Sequence, residues 1–379
     1  MYHEPLHFTN GSFKLMQISD IQELARINPD SLKLLTMALA REKPDLAVFT
    51  GDQVYGLHPS FLLGDTRKKI TATIRAILAP LEAAGVPFAV TFGNHDCQCG
   101  IANAEQAEFY AESPLYVGGD FRSPEDRGTY RVPLYGEGGH VFDLYLIDSN
   151  GQTNAAGGYL PVDTAQLDWF RAEREKTAAE DGGPVPAIVF QHIPVPEYYD
   201  VLRRVPKGTK GAVEAFRTHR NEFYVLPKEV TAAGGFMKES PATPDDNSGE
   251  FDLLKNDGNV LALSVGHDHY NSFVAEKDGV KLMYTQGCGF NVYGPGRQRG
   301  VRIITLHEND LTRFDTRTVT FDDLTKDRVH RPLTEFALTH IPSSIEQVKK
   351  WIPLAAVSAT AIGLAAVGGG MKLAERKRS

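Results

Sequence analysis

Cysteine is scarce in this chain: Cys97, Cys99 and Cys288 are the three among 379 residues. An odd, low count offers no disulfide framework and fits a reducing compartment. Cys97 and Cys99 lie two apart, but without a second pair they build no zinc cage and read as bystander thiols. Positive charge is also short. Lys and Arg number 40 against 48 Asp and Glu, a formal net charge of −8, and no basic stripe stands out, so no nucleic-acid partner is expected. Residues 1–20 hold no basic segment followed by an apolar one, so no secretory signal is read there. Internal repeats are missing. Long apolar runs are missing too until residues 352–371, which carry no charge. That stretch is long enough to cross a bilayer, although it is rich in Ala and Gly. It reads as a C-terminal membrane helix or, alternatively, as an apolar helix packed on the domain or on a partner, followed by a basic tail at 372–379. Without an export signal, and with free thiols, the bulk of the chain is expected on the cytoplasmic side.

What is present is a series of short apolar strands with helices between them. Phe13 to Ile18 reads as the first strand and runs into Ser19-Asp20-Ile21-Gln22. Asn28-Pro29 is a helix start, with Asn as cap and Pro in the first turn, and Leu32, Leu35 and Leu39 follow at helical spacing. Leu46 to Phe49 is the second strand, ending in Thr50-Gly51-Asp52-Gln53-Val54-Tyr55. A helix over 66–84 leads to a third strand, Phe88-Ala89-Val90, ending in Gly93-Asn94-His95-Asp96. This βαβαβ order predicts an α/β fold with crossover helices. Residues 100–139 read as irregular. A strand at Val141–Ile147 closes with Asp148-Ser149-Asn150, and Asp163 with Gln166 forms a capping box before a helix. The strand Ala187–Phe190 ends at Gln191-His192, and Val260–Val265 ends in Gly266-His267-Asp268-His269. Strands at 281–285 and 301–306 complete a second set. Residues 206–258, polar and weakly periodic, read as an insertion or cap. The main domain is placed at 1–318, with a connector at 319–350.

Five strands thus end in oxygen or imidazole donors: Asp20, Asp52, Asn94, His192, and the pair His267 and His269. In α/β folds, sites assemble at the carboxyl ends of strands. Donors of this kind, with no thiolate, suit Mn, Fe or Zn. They exceed what one tetrahedral ion needs, and a carboxylate between two ions is the economical way to hold a pair.

In order and spacing the motifs resemble the calcineurin-like metallophosphoesterase superfamily, over roughly Leu15 to Leu306. The resemblance implies a four-layer sandwich of two mixed β-sheets flanked by helices. It implies a dinuclear centre in which a hydroxide between the ions attacks a phosphate monoester; the alternatives are a phosphodiesterase or nuclease with the same centre, and a membrane-tethered metal-binding protein without turnover. It implies that Asp52 bridges the ions, that Asp20 and His269 join it on the first, and that Asn94, His192 and His267 join it on the second. His95 would serve the leaving group, with Asp96 aiming it. The substrate would be a phosphorylated small molecule or phosphoprotein. One departure stands out: the first motif is Asp20-Ile21-Gln22, where most of the superfamily has Asp-x-His. Purple acid phosphatases also lack that His and carry a Tyr three residues after the bridging Asp. Gly51-Asp52-Gln53-Val54-Tyr55 and Val189-Phe190-Gln191-His192 match their patterns, so the chain resembles the purple-acid-phosphatase-like branch. Either the Tyr55 phenolate or the Gln22 amide oxygen would then complete the first metal, and Tyr55 would alternatively pack on its loop. Arg297, Arg299 and Arg302 read as a phosphate clamp or as a basic hairpin face, and His58 as a surface residue.

Overall fold

The computed structural model describes residues 2–118, 128–151 and 153–340. The strands are β1 (Leu6–His7), β2 (Ser12–Ile18), β3 (Leu46–Thr50), β4 (Phe88–Thr91), β5 (Tyr130–Gly136), β6 (Gly139–Leu146), β7 (Ala187–Phe190), β8 (Arg203–Val205), β9 (Val213–Glu214), β10 (Phe223–Val225), β11 (Val260–Val265), β12 (Phe273–Lys277), β13 (Val280–Tyr284), β14 (Gly300–His307) and β15 (Phe314–Thr320). The α-helices are α1 (Pro29–Glu42), α2 (Pro59–Leu62), α3 (Thr66–Ala84), α4 (Asn103–Ala111), α5 (Thr164–Asp181), α6 (Lys228–Ala232), α7 (Glu250–Asp257), α8 (Phe321–Leu324) and α9 (Pro332–His340). One mixed sheet runs β1-β5-β6-β7-β11-β13-β12 and another runs β15-β14-β2-β3-β4. Their central strands, β2-β3-β4 and β6-β7-β11-β13, are parallel.

The alternation of side chains along a strand sets the layers. On β2 and β3, Leu15, Leu46 and Val48 meet Leu144, Ile188, Phe190 and Met283 of the other sheet, forming the core between the two. Their neighbours Met16, Ile18, Ala47 and Phe49 face outward and are covered by α1 and α3 through Leu34, Leu35, Leu39, Ile70, Ile74 and Ile77. On the far side, Val189, Leu263 and Val265 are covered by Leu167 and Phe170 of α5 and by Phe251 and Leu254 of α7. Each such leucine or isoleucine, fully buried, contributes roughly 1.5–3 kcal/mol. The expected four-layer sandwich of two mixed sheets flanked by helices is what forms.

Helix signals act as read. Asn28 caps α1 by accepting from the Asp30 amide, with Pro29 in the first turn, and Asp163 with Gln166 closes a capping box on α5. One stretch read as irregular is not, and the stretch read as an insertion or cap holds short elements of its own. Residues 100–139 hold α4 and β5, and 206–258 hold β9, β10, α6 and α7, with β8, β9 and β10 making a separate small sheet in the order β8-β10-β9. The expected connector from 319 begins inside β15 and continues into α8 and α9. Residues 352–371, where a membrane helix is expected, lie outside the described residues; among the described ones no helix is long and apolar enough to cross a membrane.

A buried polar tie joins the two sheets beneath the strand ends. Gln17 Oε1 accepts from the hydroxyls of Ser264 (2.6 Å) and Thr285 (2.8 Å), and its Nε2 donates to Thr50 Oγ1 (3.2 Å). A side-chain amide with both ends engaged is favourable inside a core and fixes the register of the two sheets at this point.

Candidate metal centre

Because the central strands are parallel within each sheet, their carboxyl ends share an edge, and the loops that follow β2, β3, β4, β7 and β11 meet there. Two sets of donors come together: Asp52 with His192 and His267, and Asp20 with Asp52 and His269, the donor atoms in each set lying within 4.8 Å of one another. Asp52 belongs to both. His192 Nε2 lies 3.2 Å from Asp52 Oδ2 and 3.2 Å from Asn94 Oδ1, and His269 Nε2 lies 3.3 Å from Asp20 Oδ1. All of these residues are buried.

The backbone is bent to achieve this. Asp20 (φ 51°), Gln22 (φ 37°), Asp52 (φ 54°) and His267 (φ 74°) occupy the left-handed region, which side-chain-bearing residues seldom adopt except where surrounding structure enforces it. Two glycines make room. A Cβ on Gly51 would fall 2.6 Å from His192 Nδ1, and one on Gly93 would fall 2.2 Å from Asp52 Oδ1. Gly93 therefore admits the Asp52 carboxylate rather than merely turning the chain.

Each imidazole is oriented by a second contact. His192 Nδ1 donates to the Thr50 carbonyl (2.9 Å), which leaves Nε2 for the site. His269 Nδ1 donates to the Tyr293 carbonyl (2.8 Å), and its ring stacks on Tyr293 at 4.1 Å. His267 turns its Nδ1 toward His192 Nε2 at 3.1 Å. Burial opposes charge on all of these groups, yet the carboxylates outweigh it on two imidazoles: Asp52 and Asp20 hold His192 up at about 10, and Asp20 raises His269. Burial together with the neighbouring His192 pushes His267 down to about 3. In turn the imidazoles hold Asp20 and Asp52 below the usual carboxylate range against their own burial.

The donor set fits a pair of cations. Asp20 Oδ1 is buried and has no hydrogen-bond partner, while Asp20 Oδ2 accepts from Ser19 and from the His267 amide. An orphaned carboxylate oxygen facing imidazole nitrogens is costly unless an ion completes it.

Three expected roles are revised. Asp96 does not aim His95. Its two oxygens accept the backbone amides of Asp52 (2.8 Å), Gln53 (2.8 Å), Val54 (3.1 Å) and Gly93 (2.8 Å), which clamps the two strand-end loops together. His95 is oriented by Gln98, whose Oε1 lies 2.6 Å from Nδ1. Arg299 and Arg302 are buried: Arg299 donates to the carbonyls of Val292 and Tyr293 and so supports the loop that carries Tyr293, while Arg302 donates to the Tyr284 carbonyl and half-buried Arg297 pairs with Asp322, so all three are engaged within the fold. His58 caps α2 through Ser60.

Tyr55 packs against His95 of the neighbouring strand-end loop. Its ring meets His95 edge-on at 4.9 Å and lies 6.1 Å from His58, and among the described residues its hydroxyl makes no hydrogen bond. Gln22 is the residue that touches the shared carboxylate, Nε2 donating to Asp52 Oδ2 at 2.7 Å. Tyr159 was not legible in the sequence: it packs edge-on against His267 at 4.8 Å, on a loop braced by Arg217–Asp245. Nothing in Gly157-Gly158-Tyr159 signals that placement.

A family model described as calcineurin-like phosphoesterase matches residues 13–271. The chain belongs to the calcineurin-like phosphoesterase family. It is 27% identical over 337 residues to a protein of Arabidopsis thaliana named probable inactive purple acid phosphatase 14, covering 78% of this chain and 75% of that one. It is 25% identical over 342 residues to phosphatase DCR2 of Saccharomyces cerevisiae, covering 79% of this chain and 53% of that one. Among solved structures, a dimetal phosphatase from Danio rerio aligns with 82% of this chain and 99% of its own, at 13% identity and a TM-score of 0.48. As a calcineurin-like phosphoesterase, the chain carries the candidate ligands of a two-ion centre on the edge where its parallel strands end.

Proposed function

We propose that this chain is a dinuclear metal-dependent phosphoesterase that hydrolyses phosphate monoesters. The observation that carries the reading is the Asp52 carboxylate, common to the Asp20–His269 set and the His192–His267 set. Asp20, Asp52 and His269 would hold one ion, and Asp52, Asn94, His192 and His267 the other, with Fe, Mn or Zn suited to such donors. Bound there, a pair of ions lowers the pKa of water and draws charge from the phosphoryl oxygens.

The protein's own groups do the positioning. Thr50 and Tyr293 carbonyls fix the imidazole tautomers, and the Asp96 clamp holds Asp52 and Asn94 in one frame. His95, half-buried beside the centre, has Nδ1 tied to Gln98 and its backbone amide tied to Asp52 Oδ1 (2.8 Å). Its Nε2 is free to deliver a proton to the departing oxygen.

The word "inactive" in the names of the Arabidopsis relatives, and Gln22 in place of an imidazole, favour a second reading: a metal-binding protein without turnover. One experiment separates them. The purified full chain is expected to hold two ions by elemental analysis and to hydrolyse 4-nitrophenyl phosphate faster than bis(4-nitrophenyl) phosphate, and Asp52→Ala is expected to lose both ions and all turnover. Two ions without turnover would establish the second reading; faster diester cleavage would replace monoesterase by diesterase.

A further inference from the structure

Tyr159 is held with more care than its packing explains. It is half-buried and, like Phe216, belongs to none of the three apolar cores. Yet the loop 153–159 is fastened on several sides. Asn154 Oδ1 accepts from the amides of Ala156 (2.9 Å) and Gly158 (3.0 Å), and its Nδ2 donates to Asp245 Oδ2 (3.2 Å). Arg217 grips both oxygens of Asp245 at 3.0 Å and donates to the Ala156 carbonyl at 3.0 Å. Phe216 stacks on the Tyr159 ring at 6.2 Å. Its own amide donates to the Tyr199 hydroxyl (2.7 Å), which donates to the Pro241 carbonyl (2.8 Å). Phe216, Arg217, Pro241 and Asp245 all lie in the insertion at 206–258, so that insertion fixes this ring.

The ring is fixed beside the candidate centre. It meets His267 edge-on at 4.8 Å, and a Cβ on Gly151, where the loop begins, would fall 2.1 Å from Asn94 Cα. The loop therefore runs from Asn94 to His267, along the Asp52–His192–His267 set. Burial, and after it the Asp52 and Asp268 carboxylates, raise the Tyr159 hydroxyl, which places it within electrostatic reach of the shared ligand. Among the described residues that hydroxyl makes no hydrogen bond. A phenol donates readily to an anionic oxygen, and a donor fixed in advance needs no reorganisation when the anion arrives.

We propose that Tyr159 is a substrate-binding residue: its hydroxyl donates to a phosphoryl oxygen on the Asn94–His192–His267 flank, and the insertion holds it there through Phe216 and the Arg217–Asp245 pair. This rests on the dinuclear phosphoesterase reading above. It deepens that reading by naming a group that touches the phosphoryl group and by giving the insertion a task.

The test uses orthophosphate as the probe, titrated calorimetrically into the full chain loaded with two Mn2+, the loading verified by elemental analysis. Tyr159→Phe keeps the ring and its contacts with His267 and Phe216. It should weaken orthophosphate binding about 10-fold or more, the scale of one hydrogen bond to a charged group, and lower kcat/KM on 4-nitrophenyl phosphate alike. Metal content and melting temperature should not move. Asp245→Ala should weaken orthophosphate in the wild type and add nothing in the Tyr159→Phe background, because it acts through the hydroxyl. Arg217→Met loosens the same pair and serves if Asp245→Ala misfolds. Unchanged orthophosphate affinity in Tyr159→Phe, or a loss of metal or of melting temperature in that variant, would overturn the role of the hydroxyl. An undiminished effect of Asp245→Ala in the Tyr159→Phe background would overturn the role of the insertion. Each of these leaves a two-ion phosphoesterase intact, whereas a wild type that holds two ions and binds no orthophosphate would overturn both readings.

Discussion

At the scale of single residues, the sequence exposes donors and conceals supports. Asp20, Asp52, Asn94, His192, His267 and His269 were visible because each follows an apolar strand, and the structure gathers their donor groups on one edge. Asp96 was misjudged because a carboxylate bound to four backbone amides looks, in sequence, like one placed to orient the adjacent His. The distinction can be measured. His95→Ala should lose roughly 10²–10⁴-fold in turnover on an alkyl phosphate, with both ions retained. Gln98→Leu should lose part of that, with an unchanged melting temperature, because only the imidazole's orientation is affected. Asp96→Ala should instead lower the melting temperature, since buried amides left without acceptors cost roughly 1–3 kcal/mol each. Kinetics, metal content and thermal melts on the three variants check this. A His95→Ala enzyme with normal turnover would remove His95 from the chemistry.

At the scale of elements, strands that continue into the site were readable within a residue or two, because parallel strands buried on both faces read as unbroken apolar runs. β5 was not, since Arg131 and Pro133 interrupt it; Arg131 is buried there and paired with Asp143 (3.0 Å) and Glu173 (3.1 Å). α4 and the small β8-β10-β9 sheet were hidden by polar composition and short length. α7 carries a consequence of its burial. Glu250, in its first turn, is buried with Oε1 unpartnered, as is Gln191 Oε1, and both line one small cavity beside Ser149 and Ile193. Burial, with a smaller push from Glu197, raises the Glu250 carboxyl from 4.5 to about 8 against the pull of Gln191. The sign follows: the folded state keeps a proton that the unfolded state releases, so this group's contribution is full below about 4.5 and is lost as pH rises through about 8. Glu250→Gln should therefore gain on the wild type as pH rises across that window, by up to about 1.4 kcal/mol per unit. Urea unfolding of both proteins at several pH values reads the difference. A constant difference would show that Glu250 does not hold that proton.

At the scale of the whole molecule, the candidate centre lies at the edge shared by two sheets and is reached by loops from both, so ions bound there would cross-link the two sheets of the sandwich. Gln17 ties the sheets just beneath, but the loops above it end in Asp20 and Asp52, two buried carboxylates that need compensating charge. The neighbouring imidazoles His192 and His269 offset some of it; cations would supply more, and they would bind the folded chain far better than the unfolded one. A site saturated at 100 times its dissociation constant adds about 2.7 kcal/mol, and in a domain of this size 1 kcal/mol moves the melting temperature by roughly 1–2 °C. Exhaustive chelation should thus lower the melting temperature by about 3–5 °C for each ion lost. Readdition of Mn2+ or Zn2+ should restore it in proportion to metal bound, and Asp52→Ala should melt low and ignore added metal. Scanning calorimetry with parallel elemental analysis checks this. An unchanged melting temperature after verified metal loss would mean that the packed sheets and the Gln17 tie alone hold this edge together.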